Sequence, residues 1–251
     1  MRWIVALVLL SSFSAVAEED AHLIAFSEGR YSDAASVVES SHAPDNLAFA
    51  ARSLLAEAIS ATDYNVSPSL VEQAEQLARE ALTEAPDHVE ARLQLAIALS
   101  LKARPMTIGE ARRAGYGDDA KRLADSVLDD DPTNTYAHGF LSVWHIEVRR
   151  RGGAIGASIM GASVKKARRH YEVAIELSPD DASVHWQYAR ALTALSAKKY
   201  RTDIDAALAR ALACGAETSL EHVMQARARD LQSVLQTEKR ATAESLAARM
   251  L

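Results

Sequence analysis

Three prolines at near-equal spacing constrain this chain more than any other feature. Pro86 in ALTEAPDH, Pro132 in VLDDDPTN and Pro179 in AIELSPDD lie 46 and 47 residues apart. Each ends an alanine-rich amphipathic stretch, because proline offers no backbone N–H and biases the residue before it away from the helical region. Polar side chains follow at once: Asp87, then Thr133 and Asn134, then Asp180 and Asp181. Such side chains accept from the free N–H groups that open a helix. A helix stop and a helix start repeated at a fixed period imply stacked antiparallel helix pairs, each burying its apolar face on its neighbours.

The N-terminus points to export. Met1 and Arg2 precede the apolar run Trp3 to Leu10, then a serine-rich stretch ending Ala15-Val16-Ala17 before Glu18. That is the layout of a cleaved secretory signal, residues 1–17. The uncharged run is shorter than the roughly 20 residues a spanning helix needs, so no stable membrane insertion is expected after cleavage. The chain carries 28 Lys and Arg against 34 Asp and Glu, a net charge of −6. This balance gives no general attraction for nucleic acid, and none is expected as a partner. The single cysteine, Cys214, excludes an internal disulfide. An exported, alanine-rich, disulfide-free chain fits the periplasm of a Gram-negative bacterium.

Aligned on the prolines, the copies share a small residue in the first helix, at Ala96, Ser142 and Ala189. In the second helix Ala74, Ala120 and Ala167 coincide, as do Ala78, Ala124 and Tyr171, and then Ala81, Val127 and Ala174. Near the N-terminus Gly29, Arg30, Tyr31, Ser32, Asp33 and Ala34 form a glycine–tyrosine–alanine turn. In these positions the chain resembles the tetratricopeptide repeat (TPR) family over most of residues 18–215. The resemblance implies an all-α, right-handed solenoid of about five antiparallel helix pairs, with residues 216–251 as a C-terminal capping helix. The family period is about 34 residues; two copies here are longer, through insertions at Lys102 to Asp118 and about Arg149 to Val164.

Helices are expected at about 18–27, 33–41, 46–61, 69–84, 88–102, 118–130, 134–150, 164–177, 181–197, 203–213 and 219–248. Thr202 with Asp205 reads as a start for the tenth and Gly215 as its left-handed stop. The last helix turns polar through Thr237 to Ala243, which reads as a frayed tail.

Catalytic chemistry is scarce. His138 and His145 stand seven apart and His185 repeats the position of His138, but no carboxylate cluster or His-x-x-x-His spacing accompanies them. They read as core or rim histidines, with no metal and no cofactor implied. Cys214 stands at a helix end without a catalytic partner, and no nucleophile elbow, phosphate loop or dinucleotide fingerprint is present. No enzyme activity is expected.

In the repeat family the first helices build the inner surface on which ligand peptides lie. Carried over residue by residue, this implies a partner-binding groove at Tyr136, Phe140, Val143, Glu147, Trp186, Gln187 and Arg190. Only Arg190 among them is cationic, so the groove is aromatic in character. The second insertion runs Arg149-Arg150-Arg151-Gly152-Gly153 through Ile155, Ile159 and Met160. It reads either as a loop folded over its own helix pair or as a flap over the groove that orders around a ligand. Two functions follow: an interaction module for a protein or peptide on the concave face, or a binder of a small apolar molecule closed in by the flap, similar to TPR components of periplasmic uptake systems.

Overall fold

In a computed structural model, residues 21–39 and 41–250 are described. The expected signal and its cleavage point before Glu18 lie outside the described residues. The helices are α1 (21–27), α2 (Tyr31–Glu39), α3 (Pro44–Ser60), α4 (Pro68–Glu84), α5 (Val89–Ala103), α6 (Ile108–Arg113), α7 (Tyr116–Asp130), α8 (Thr135–Ile159), α9 (Val164–Leu177), α10 (Ala182–Ser196), α11 (Arg201–Ala213), α12 (Ser219–Thr237) and α13 (Arg240–Arg249). No strand occurs among the described residues.

The proline punctuation works as its chemistry requires. The residues before Pro86, Pro132 and Pro179 adopt one conformation: φ/ψ of −135/86 at Ala85, −130/85 at Asp131 and −138/82 at Ser178. Each next helix is capped two residues after its proline, by His88, Asn134 and Asp181, whose side chains accept from Ala91, Ala137, and Ser183 with Val184. Asp87 is thus not the cap of its helix. Six residues after each proline a side chain ties the turn. Arg92 Nη2 donates to the Asp87 carbonyl at 2.6 Å, His138 Nε2 to Pro132 at 3.1 Å and His185 Nε2 to Pro179 at 2.9 Å. The recurrent histidine is a device of the repeat, satisfying loop carbonyls that would otherwise lack partners.

Pairs α3/α4, α5/α7, α8/α9 and α10/α11 stack so that α3, α5, α8 and α10 form one row. Every aligned small position is buried, from Ala74, Ala78 and Ala81 to Ala167, Ala174 and Ala189. Small side chains there let neighbouring helices approach closely, and dense packing makes added volume costly. One apolar cluster runs from Ala25 to Leu123 and a second from Ile146 to Met250, with Ile59 packed against both.

The array closes on itself through its C-terminal segment. Arg227 of α12 donates to the Ala61 carbonyl at 2.8 Å and lies over the Tyr64 ring. Gly29, at φ +81, leaves no room for a Cβ, which would stand 2.8 Å from the Cβ of Ser219 at the start of α12. The expected single capping helix over 219–248 is instead two helices, broken at Glu238 and Lys239. The expected frayed tail is packed, with Ala243, Ala247 and Met250 fully buried. At the tenth expected helix, α11 starts at Arg201, which pairs with Asp205, and Gly215 does not take the left-handed conformation.

The second insertion is neither loop nor flap. Helix α8 continues through it to Ile159, bending at Gly153 (φ 63), and α9 begins five residues later after a left-handed Gly161. The two insertions support each other. Arg151 donates to the carbonyls of Ala103 and Met106, Trp144 Nε1 donates to Gly117 O at 2.9 Å, and the Met160 methyl lies against Gly117. Packing of Ala157, Ala162, Val148 and Met160 around Trp144 offsets the weak helix propensity of the glycines.

Candidate functional site

The expected inner face is that of the row α3, α5, α8 and α10, and the C-terminal helix packs on part of this row. Helix α13 packs against α10. Its last carbonyls, at Ala248, Arg249 and Met250, accept from Arg104 Nη2 at 2.7, 3.3 and 3.1 Å, and Ala247 O accepts from Arg190 at 3.3 Å. A helix C-terminus carries unpaired carbonyls and partial negative charge, which a guanidinium satisfies directly. Glu244 accepts from the Ala197 amide at the far end of α10.

Beneath α13, Glu147 of α8 collects the cations. Its Oε1 lies 3.1 Å from Arg190 Nη1 and its Oε2 2.7 Å from Arg150 Nη2. Burial works to raise the Glu147 pKa, but Arg190, Arg150 and Arg104 together outweigh it and hold the carboxyl below its ordinary value. Burial first, and repulsion from Arg190 second, push Arg104 down to about 9, so it remains charged at neutral pH. Arg190 is only 2% exposed, and Gln187 Oε1 accepts from its Nε at 2.9 Å.

The rest of the inner face is uncovered. Arg52 of α3 stacks over Phe26 and Phe49, its Nη1 stands 3.7 Å from Glu90 of α5, and its Nε has no hydrogen-bond partner among the described residues. Tyr136 of α8 is 58% exposed beside this pair. Its phenol is pushed up to about 12, by desolvation first and then by Asp181. Phe140 is half-buried one turn further on. Arginine and tyrosine with a carboxylate form a surface rich in the residue types that anchor interfaces.

The expected groove is therefore divided. Tyr136 and Phe140 border its open stretch, whereas Glu147, Gln187 and Arg190 sit together under α13. Val143 is half-buried against the C-terminal core. Trp186 is fully buried in the C-terminal core, on the same helical stripe as Ala189, Arg190 and Thr193. Arg52, Glu90 and Arg104 were not expected there, and nothing in their local sequence distinguishes them. Of the expected flap, Arg150 pairs with Glu147, Arg151 braces the first insertion and Met160 covers Gly117. Gly152 and Gly153 lie in the helix at its bend, Arg149 lines a shallow hollow with Lys199, and Ile155 and Ile159 point outward.

His138, His145 and His170 form a small aromatic cluster. Because His138 Nε2–H is committed to Pro132, its bare Nδ1 accepts from His170 Nδ1–H at 2.9 Å. Burial, then the positive charge of their neighbours, pushes both His145 and His170 down to about 4, so they are neutral at pH 7. No group of three or more side chains able to hold a metal ion occurs among the described residues. Burial raises the Cys214 thiol, which donates to the Arg210 carbonyl.

No protein-family model matches the sequence, and no curated protein matches it. Among solved structures, a monomeric mutant of IFIT1 with Gppp-AAAA is similar at 20% identity and a TM-score of 0.46, over 88% of this chain and 55% of that one. The chain thus spans little more than half the length of that protein.

Proposed function

We propose that the chain is a TPR-type interaction module, exported to the periplasm of a Gram-negative bacterium, that receives a protein or peptide on the uncovered stretch of its inner face. It performs no chemistry of its own in this reading. The observation that carries the proposal is the cluster of Arg52, Glu90 and exposed Tyr136, set beside a stretch of the same face where a helix already lies. Helix α13 illustrates what the row of first helices accommodates: a helical segment held by Arg190 of α10 and by Arg104. On the uncovered stretch Glu90 and Asp181 outnumber Arg52, a balance that favours a protein or peptide over nucleic acid as the occupant in this reading.

The small-ligand alternative loses its main support, because the segment that would have closed over a ligand is helix. Two hollows, of about 420 and 410 Å³, are lined by residues between Gly29 and Thr62 and between Arg149 and Tyr200, and neither includes Arg52, Glu90 or Tyr136. The test is quantitative binding of a partner first captured by crosslinking in cells and then purified. Tyr136→Ala with Arg52→Ala is expected to weaken that complex by about 2 kcal/mol or more. Unchanged affinity with the fold intact would place the interface elsewhere. N-terminal sequencing of the protein recovered from the periplasm tests the export expectation, with Glu18 as the expected first residue.

A further inference from the structure

The tip of the α8–α9 hairpin carries a composition found nowhere else in the chain. Between Glu147 and Glu172 there is no acidic residue, while Arg149, Arg150, Arg151, Lys165, Lys166, Arg168 and Arg169 contribute seven positive charges to a chain whose total is −6. The α10–α11 turn adds Lys198, Lys199 and Arg201 beside it, since Arg149 and Lys199 line one shallow hollow with Ala154, Ser158 and Tyr200. Arg150, Arg168 and Arg201 are paired with Glu147, Asp203 and Asp205. Arg149, Lys165, Lys166, Arg169, Lys198 and Lys199 have no carboxylate partner among the described residues.

At the same tip, Ile155 is 78% exposed and Ile159 62% exposed, one helical turn apart and on one side of the segment that follows the Gly153 bend. Large aliphatic side chains exposed together are unusual on a monomer surface and mark contact sites. In an antiparallel array, successive turns alternate between two edges. The proline turns, with Asp87, with Asp129, Asp130 and Asp131, and with Asp180 and Asp181, therefore lie at the edge opposite the tip. The proline turns are thus acidic, whereas the α8–α9 tip is basic and aliphatic.

We propose that this tip docks the protein peripherally on an anionic phospholipid bilayer, with Ile155 and Ile159 entering the headgroup–acyl boundary and the surrounding cations meeting lipid phosphates. Basic side chains near an anionic surface add attraction, and apolar side chains that reach the interface add hydrophobic burial. The acidic edge faces away from the surface, which fixes one orientation. A nucleic acid would meet the same cations but leave two isoleucines exposed without a stacking partner, so the bilayer fits the patch better. No described helix is long and apolar enough to cross a membrane, and the contact is peripheral.

The experiment uses the full chain with a readout local to the tip, because the run from Trp3 to Leu10 is itself apolar. A polarity-sensitive fluorophore is placed through Ser158→Cys in a Cys214→Ser background, and a second through Asp129→Cys at the acidic edge. Vesicles containing phosphatidylglycerol are expected to blue-shift the Ser158→Cys label and expose it to lipid-borne quenchers. Pure phosphatidylcholine vesicles and high salt should not, and the Asp129→Cys label should stay unmoved. Ile155→Asp with Ile159→Asp is expected to lower the apparent affinity roughly ten-fold or more with the circular dichroism spectrum unchanged. If that variant loses helicity, Lys165→Glu with Arg169→Glu carries the same expectation. The proposal is overturned if anionic vesicles leave the tip label unmoved, if the substituted tips bind like the parent, or if an oligonucleotide rather than a bilayer shifts the label.

Discussion

Replacing Glu147 by Gln isolates the electrostatics of the covered inner face. The substitution keeps shape and one acceptor oxygen but removes the carboxylate that, among the described residues, pairs with Arg190 and Arg150. Unit charges about 4 Å apart attract by about 4 kcal/mol at an effective dielectric of about 20. Two such contacts are lost, while the desolvation of the carboxylate is recovered. Breaking a buried pair on one side generally costs about 3–5 kcal/mol, because the partner charge is left uncompensated. Arg190 is 2% exposed, which favours the full effect, whereas Glu147 keeps 23% of its side-chain surface, which admits screening. The expected loss is therefore about 3 kcal/mol, or a fall in Tm of about 6–12 °C for a chain of this length. Urea unfolding at neutral pH measures it. Adding Arg190→Met to the Gln variant should restore part of the loss, since the stranded charge is then gone. A Glu147→Gln protein as stable as the parent, or an Arg190→Met change that destabilises equally in both backgrounds, would refute this account of the cluster.

Two further outcomes follow from the packing and the buried imidazoles. Ala189→Leu is expected to cost about 1–3 kcal/mol by overpacking a position with no exposed surface, and a variant melting with the parent would contradict the helix register. His145 and His170 sit near pKa 4 when folded, below the ordinary value of about 6.5, so the unfolded chain binds protons more readily. Their contribution to stability is complete above about pH 6.5 and is lost as pH falls toward 4. Denaturant titrations should show a drop of about 2–4 kcal/mol between pH 7 and pH 5, largely removed by His145→Leu with His170→Leu; a flat profile would contradict it.

The helix pairs could be read from the chain because their determinants are local and periodic. Proline sets one conformation at Ala85, Asp131 and Ser178, and the small residues recur wherever helices cross. The segment after Arg151 misled because four glycines lower helix propensity, and only tertiary contacts to Trp144 and the first insertion offset that cost. Helix α13, most of it inside the helix expected over 219–248, had its packing hidden for a related reason. It buries chiefly Ala243, Ala247 and Met250, too little apolar surface to mark a periodic stripe, and its seating depends on Arg104, more than a hundred residues away in sequence. Trp186, carried over by repeat position with Gln187 and Arg190, stands three residues from Ala189 and is fully buried with it. Arg52 and Glu90 gain meaning only when α3, α5 and α8 are brought side by side.

The claim that the uncovered inner face receives the partner is tested most directly by photocrosslinking in cells. A photoreactive phenylalanine analogue replaces Tyr136 on the inner face or Glu172 on the exposed side of α9. The account predicts a discrete adduct from position 136, absent at position 172 and diminished when Arg52 is also changed to Ala. An adduct from position 172 with none from position 136 would contradict it and move the interface to the outer surface.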